Sequence, residues 1–158
     1  MNAREYRREP NQEFAEIEWL KNQDTTGWFF VSLTMHQCVD GQRLDEIVAS
    51  KVCRCFLNRL NQKTLQNEFR KKRKRLGCIP FIEQKNGRIH YHIGIEKPQG
   101  ISNQDFSETL KSCWEKSPFS ARDIQVDETY SPDWVDYCYK HQTSNINTLD
   151  FNNLYIKQ

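Results

Sequence analysis

The sequence predicts an α+β fold whose elements follow in the order strand, helix, strand, strand, helix, strand, helix. Two observations support this prediction. A β-hairpin with a well-defined two-residue turn occupies the middle of the chain, over about 78–97. Segments of strand-like composition lie on both sides of the hairpin, and stretches whose apolar residues recur at helical spacing separate them from it.

The turn of the hairpin determines which of its side chains share a face. Asn86-Gly87 is a strong signal for a type I′ turn, because both central residues of that turn need a positive φ. A two-residue turn here places Glu83 directly across from His90. Since side chains alternate between the faces of a strand, Glu83, His90 and His92 lie on one face. The opposite face is predicted to be core, with Ile82, Ile89, Tyr91, Ile93 and Ile95.

The elements before the hairpin follow from composition and spacing. A first strand is expected over about 28–34, where aromatic and β-branched residues are concentrated, and Asp40-Gly41 breaks the chain after it. A helix over about 44–60 comes next, followed by a second helical stretch over about 65–76 that Gly77 ends. The inward side of the longer helix is predicted to contain Ile47, Val48, Val52, Cys55, Phe56 and Leu60. A short helix over about 13–21 is expected near the N-terminus.

The elements after the hairpin begin with a predicted helix cap at Ser102, which has an acid three residues later. That helix carries apolar residues at core spacing, and Ser117-Pro118 ends it. A strand that contains Ile124 and Val126 follows. Ser131-Pro132-Asp133 then starts the last helix, which we expect to reach about residue 142. A short final strand is predicted at 154–156.

This order of elements is that of a βαββαβ core of the ferredoxin-like or RRM-like type, with a central antiparallel sheet of four to five strands flanked by helices. The 158 residues, 37% of them hydrophobic, suffice for one ordinary core. We interpret 1–158 as a single domain. Its core spans about 28–142, with an N-terminal extension at 1–27 and an Asn-rich tail at 143–158.

Composition limits the environment of the protein. The net charge is only +2, so the overall charge does not indicate a nucleic-acid partner. The six cysteines show no metal-ligand spacing, which favours small apolar roles in a reducing compartment. No segment is long and apolar enough to span a membrane. The sequence therefore predicts a soluble, cytoplasmic protein without a membrane partner, nuclear only in a eukaryotic host.

The polar face of the hairpin carries a mixed set of nitrogen and oxygen ligands. Opposed Cβ atoms in a sheet are roughly 5 Å apart, so one ion could bridge Glu83, His90 and His92. Three protein ligands leave positions open for water or a substrate oxygen. This set suits Mg²⁺ or Mn²⁺ acting as a Lewis acid on a phosphate, with zinc as an alternative. A bare His-x-His pair would more often be an ordinary strand.

The last predicted helix contains Tyr137-Cys138-Tyr139-Lys140-His141. Residues three and four apart share a helical face, so Tyr137 lies beside Lys140 and His141, while Tyr139 shares its side with Val135 and is expected to pack. A phenol near a polarised phosphate can act as a nucleophile, and an ammonium group can stabilise the developing charge. The alternative is an ordinary helix–sheet contact. Roles for Tyr139, Tyr130 and His141 stay open.

Three sequence blocks together resemble the rolling-circle replication initiators (Rep proteins) of the HUH endonuclease superfamily. The segment 29–34 is similar to the first-strand motif of that family, 90–95 to its HUH motif, and 137–140 to its single-tyrosine motif. The resemblance spans about 28–142. Two-tyrosine relatives place the second tyrosine four residues away. Tyr139 lies only two residues from Tyr137, which favours a one-tyrosine enzyme.

The resemblance implies a mechanism and its partners. Mg²⁺ or Mn²⁺ held by Glu83, His90 and His92 would polarise the scissile phosphate of single-stranded DNA at a replication origin, for example in a DNA hairpin. Tyr137 would attack phosphorus, leaving a 5′-phosphotyrosine and a free 3′-hydroxyl that primes replication, and Lys140 would assist. A later transesterification rejoins the strand. The sequence has no Gly-x-x-x-x-Gly-Lys-Ser/Thr loop, so a separate helicase and polymerase are expected.

A basic run supplies the predicted DNA contacts. Cationic side chains suit backbone phosphates, and a nearby aromatic such as Phe69 could stack on unpaired bases. The alternative is a solvated helix end. The predicted DNA-binding residues are Lys51, Arg54, Arg70, Lys71, Lys72, Arg73, Lys74 and Arg75.

Two other functions fit the pattern. A single-tyrosine transposase of the insertion-sequence type shares the chemistry, although Tyr-x-x-Lys rather than Tyr-x-x-Gln favours the initiator. A conjugative relaxase is disfavoured, because its tyrosine precedes the histidines. From a different class, a non-catalytic nucleic-acid-binding module with an RRM-like fold would need exposed aromatics on its sheet.

Overall fold

The computed structural model describes residues 10–140 and 148–157, and its central element is a four-stranded antiparallel sheet with the strand order β4-β5-β1-β6. A separate ribbon pairs β2 with β3. The elements in chain order are α1 (Pro10–Lys21), β1 (Phe29–Met35), β2 (Cys38–Val39), β3 (Gln42–Arg43), α2 (Glu46–Leu65), α3 (Asn67–Lys72), β4 (Cys78–Lys85), β5 (Arg88–Ile95), α4 (Asn103–Glu115), β6 (Ser120–Asp127) and α5 (Asp133–Lys140).

The connections confirm the predicted fold class. Of the four strands in the large sheet, the first in the chain (β1) and the third (β5) are central, while the second (β4) and the fourth (β6) form the edges. Helices α2 and α3 connect β1 to β4, and α4 connects β5 to β6. This arrangement is compatible with a ferredoxin-like α+β core, in which helical crossovers cover one face of an antiparallel sheet.

The hairpin forms in the predicted register. Asn86 and Gly87 have φ values of 52° and 73°, as a type I′ turn requires. Glu83 pairs with His90 across β4 and β5. The predicted inward side chains Ile82, Ile89, Tyr91, Ile93 and Ile95 are all buried.

Each face of the sheet packs against a different layer. One face of β1, with Phe29, Val31 and Leu33, belongs to a core that includes α2 and α4. The other face carries Phe30 and packs against α1, α5 and part of the C-terminal segment. The face that holds Glu83, His90 and His92 is this second one, so the last helix lies on the same side of the sheet as the predicted ligands.

The predicted cap of α4 is confirmed, because the Ser102 side chain accepts a hydrogen bond from Asp105 N. The predicted inward side of α2 is wrong at two positions. Ile47 is 67% exposed and Cys55 is also exposed, because the buried stripe shares Val52, Phe56 and Leu60 with the predicted side but is rotated around the helix towards Ala49, Cys53 and Leu57. That buried stripe consists of Ala49, Val52, Cys53, Phe56, Leu57, Leu60 and Asn61.

The second helical stretch is shorter than predicted. Arg73 adopts a left-handed conformation with φ 54° and ends α3, so the chain from there to Leu76 is not helical. The predicted break at Asp40-Gly41 is instead the turn of the small β2–β3 ribbon. All six cysteines lie in the described ranges, and none forms a disulfide.

The C-terminal segment 148–157 lies along the free edge of β4. The predicted last strand is reduced to isolated bridges, in which Tyr155 pairs with Cys78 and Leu149 with Phe81. Backbone hydrogen bonds from Tyr155 N to Cys78 O and from Asp150 N to Pro80 O satisfy part of that edge. No helix among the described residues is long and apolar enough to cross a membrane.

Candidate metal centre and tyrosine face

The three predicted ligands meet on the sheet. Oε2 of Glu83 lies 2.8 Å from Nε2 of His92 and 3.1 Å from Nε2 of His90. One ligand atom from each residue falls within 4.8 Å of the others, a cluster that could hold a metal ion. The hairpin produces this cluster directly, because Glu83 pairs with His90 and His92 follows two residues later on the same face.

The pKa directions of Glu83 and His92 favour the charge states that metal ligands need. Burial raises the pKa of Glu83, but hydrogen bonds and charge from His92 and His90 outweigh that effect, so the pKa lies below its usual value. Burial lowers the pKa of His92 more than its hydrogen bond to Glu83 raises it. A carboxylate beside a neutral imidazole is the donor set that a divalent cation needs. The residues therefore fit the predicted ion.

A serine on the neighbouring strand orients His92. Ser32 pairs with His92 in the register of β1 and β5, and its Oγ lies 2.9 Å from His92 Nδ1. A hydroxyl can donate or accept, so it serves either tautomer of the ring. When Nδ1–H donates to Ser32, the Nε2 lone pair is available to a metal. Such contacts behind the ligands fix ring orientation in metal sites.

A series of aromatic rings connects His92 to the last helix. The Phe30 ring stacks on His92 with centroids 5.8 Å apart, and on Trp134 with centroids 4.3 Å apart. Trp134 in turn meets Tyr137 edge to face at 5.3 Å. These contacts hold α5 against the sheet beside the cluster.

Tyr137 and His92 line the same cavity. The cavity has a volume of about 180 Å³, and Tyr137 is 43% exposed at its mouth. The phenol is therefore accessible to a ligand that also reaches the histidine. The complete lining is Phe30, Ser32, His92, Gln125, Asp127, Trp134 and Tyr137.

The other residues of the tyrosine helix have separate roles. Lys140 is the exposed last residue of α5, three positions from Tyr137 and so on the same helical face. Tyr139 is buried against Phe81 and donates a hydrogen bond to Glu16, which confirms that it packs. Tyr130 is also buried, and burial raises its pKa. His141 lies outside the described residues.

The predicted DNA-binding residues lie on another part of the surface. Lys51 and Arg54 are exposed on α2, Arg70, Lys71 and Lys72 end α3, and Arg73, Lys74 and Arg75 lead into β4. Several have partners within the chain. Lys74 pairs with Glu68 at 2.9 Å, and Arg75 lies 5.3 Å from the centroid of Phe69. The Arg75 guanidinium thus covers part of the Phe69 ring, and base stacking on Phe69 stays a prediction.

Sequence reasoning missed the residues that surround the cluster rather than form it. The sequence does contain an indication of the role of Ser32, because this polar residue interrupts the otherwise mainly apolar strand 29–35. Its alternation with Val31 and Leu33 places it opposite the core. Asp127, Gln125 and Trp134 had no comparable signal, because their position depends on how β6 and α5 pack.

The site combines a ligand cluster with a nearby tyrosine face. Three metal-type ligands lie together on the sheet, and one of them, His92, shares a cavity with the exposed Tyr137. Comparison of the chain with models of protein families, with curated proteins and with solved structures gives no significant match.

Proposed function

We propose that this protein is a metal-dependent nickase and strand transferase for single-stranded DNA, of the HUH endonuclease type, that initiates rolling-circle replication. The observation that supports the proposal most is the shared cavity of Tyr137 and His92. A candidate nucleophile and one candidate metal ligand, whose Nε2 lies 2.8 Å from Glu83 Oε2, both line that cavity. The sequence motifs that resemble the initiators supply the substrate class.

The residues have distinct tasks in this proposal. Glu83, His90 and His92 hold Mg²⁺ or Mn²⁺, which supplies Lewis-acid polarisation of the scissile phosphate when bound. The Tyr137 oxygen attacks phosphorus and forms a phosphotyrosine bond to the 5′ side. The bond from phosphorus to the 3′-oxygen breaks, the phenol proton passes to solvent, and the 3′-oxygen takes up a proton. Lys140, on the same helical face, stabilises negative charge near the phosphate.

The reverse reaction rejoins a strand without another energy source. A 3′-hydroxyl attacks the phosphotyrosine, the phosphodiester forms, and the phenol is restored. One phosphate ester bond is exchanged for another in each direction. A single tyrosine therefore suffices for both cleavage and ligation.

The burial of the sheet aromatics argues against a non-catalytic binding module with an RRM-like fold. Such a module needs aromatic rings exposed on the sheet for base stacking. Phe30 is 3% exposed and Phe81 is fully buried. A single-tyrosine transposase would use the same residues, and the Tyr137-x-x-Lys140 spacing is the feature that favours the initiator.

A covalent-adduct assay tests the proposal. The protein is incubated with a pool of single-stranded DNA hairpins of randomised sequence and Mn²⁺, and a DNA-linked species is sought on a denaturing gel. We expect an adduct that Tyr137→Phe and His90→Ala abolish. Tyr139→Phe is the matched control and should retain it. An adduct that survives Tyr137→Phe, or no adduct with any member of the pool, would contradict the proposed function.

A further inference from the structure

A groove runs along the edge of β4 that the C-terminal segment covers, and it is separate from the Tyr137 cavity. It consists of two adjoining cavities of about 350 Å³ and 340 Å³. Both are lined by Arg54 and Asn152, so they join side by side between α2 and the segment 148–157. The groove lies on the α2 side of the sheet, opposite the metal cluster.

Cationic side chains dominate the accessible charge of this groove. Lys51 and Arg54 line the first cavity, and Arg54 and Arg75 line the second. The Asp150 carboxylate in the first cavity is buried and accepts hydrogen bonds from Tyr91 and Ser50 at 2.7–3.1 Å. Side chains of the protein therefore already bind this carboxylate, and it is little exposed to a ligand in the groove.

Uncharged groups of the groove suit nucleotides. Asn58 and Asn152 add amide groups that can bind base edges or sugars, whereas Asn61 and Asn153 are buried and bonded within the protein. Glu46 is the exposed acid of the lining. Phe151 is 51% exposed at the first cavity, where a flat ring could pack on it. Base stacking on such rings is tolerant of sequence.

The course of the groove relates it to the catalytic face. One end lies at Cys78 and Arg75, next to the basic run Lys71-Lys72-Arg73. The other end lies at Ile82, whose neighbour Glu83 faces the metal cluster on the opposite side of the sheet. Cys78 and Ile82 are four positions apart along β4, a distance of roughly 13 Å. A strand in the groove would therefore be directed towards the hairpin end that carries the cluster.

We propose that this edge groove binds single-stranded DNA that flanks the scissile phosphate, with phosphates on Lys51, Arg54 and Arg75 and a base on Phe151. The inference rests on the proposed function, because that function supplies DNA as the substrate. It adds a binding surface outside the catalytic cavity. The groove and the cavity would then contact different parts of one strand.

Binding measured without cleavage tests the groove by itself. Each variant is made in a Tyr137→Phe background and titrated, in EDTA, with a fluorescein-labelled 20-nucleotide DNA of mixed sequence. We expect Lys51→Gln/Arg54→Gln to bind at least tenfold more weakly. The salt slope should fall by about 1.4, because each lost phosphate contact removes about 0.7 for single strands. The matched control Lys111→Gln/Lys116→Gln removes two exposed charges from the region of α4 and should bind within twofold.

A second pair of variants keeps the test independent of folding. Arg54 donates a hydrogen bond to Asn152 O at 2.9 Å, so its replacement could disturb the C-terminal segment. Phe151→Ala avoids that contact and should weaken binding roughly tenfold, whereas Phe151→Tyr should bind like the unmodified groove. Thermal unfolding of each variant identifies any loss of structure.

The outcomes separate this inference from the proposed function. Unchanged DNA binding by Lys51→Gln/Arg54→Gln and by Phe151→Ala would overturn the inference that the groove binds single-stranded DNA. An equal loss of binding in the α4 control would overturn it too, as would tenfold tighter binding of RNA of the same sequence. A groove-dependent affinity would support the groove even if no variant ever formed a covalent adduct. In that case only the proposed function would fail.

Discussion

The contact between Ser32 and His92 gives a quantitative test of the metal centre. Ser32→Ala removes the hydroxyl 2.9 Å from His92 Nδ1, at a ring whose side chain is only 14% exposed. Water therefore replaces the lost partner poorly, and the ring gains freedom to rotate away from Glu83. Loss of a partner behind a ligand typically costs 10- to 100-fold in metal affinity. Because the Ser32 hydroxyl is neutral, its effect should lie at the lower end of this range. We therefore expect Ser32→Ala to bind Mn²⁺ about tenfold more weakly, a loss of about 1.4 kcal/mol in binding free energy.

The adjacent residue on the same face of β1 provides the control. Thr34 pairs with His90 in the register of β1 and β5, but it is exposed. Thr34→Ala should therefore change Mn²⁺ affinity by less than threefold in isothermal titration calorimetry. Unfolding in urea should show a loss of about 1 kcal/mol for metal-free Ser32→Ala, from one hydrogen bond. Equal Mn²⁺ affinity in Ser32→Ala and the unmodified protein would refute the orienting role of Ser32.

Two further predictions concern pH and packing. The folded pKa values of His92 and Glu83 both lie below their usual values, so the unfolded chain binds more protons on acidification. The His92 contribution to stability is therefore present near neutral pH and is lost as pH falls below its usual pKa of 6.5, which urea unfolding at pH 7.5 and 5 should show, together with a smaller stabilisation by Mn²⁺ at pH 5. The Glu83 contribution is lost only at lower pH, below its usual pKa of 4.5. Gly94→Ala should cost about 1–3 kcal/mol in the same assay, since its Cβ would lie 2.6 Å from the Tyr130 ring. Stability equal to that of the unmodified protein would contradict this packing.

Local turn chemistry made the metal ligands predictable from the sequence. A two-residue turn at Asn86-Gly87 allows one pairing register, and the period of a strand then assigns Glu83, His90 and His92 to one face. The N-cap at Ser102 was predictable for the same reason, because its signal lies within four residues of sequence. The order of elements, which follows from composition and spacing, was sufficient for the fold class.

Features that depend on packing between distant segments were not predictable. The inward side of α2 was misplaced at Ile47 and Cys55, because several polar and small residues on the helix make its apolar stripe ambiguous. The end of α3 at Arg73 depends on a left-handed residue that carries no glycine signal. The cavity of Tyr137 depends on the stacking of Phe30 with Trp134, from segments more than 100 residues apart.

The position of the covalent bond tests the central proposal most directly. Digestion of the DNA adduct with trypsin releases residues 123–140, a peptide that contains Tyr130, Tyr137 and Tyr139. Fragmentation in a mass spectrometer distinguishes these three tyrosines. We predict that the nucleotide is attached to Tyr137, the tyrosine that shares a cavity with His92. Attachment to Tyr139 or Tyr130, which are both buried, would contradict the proposed mechanism.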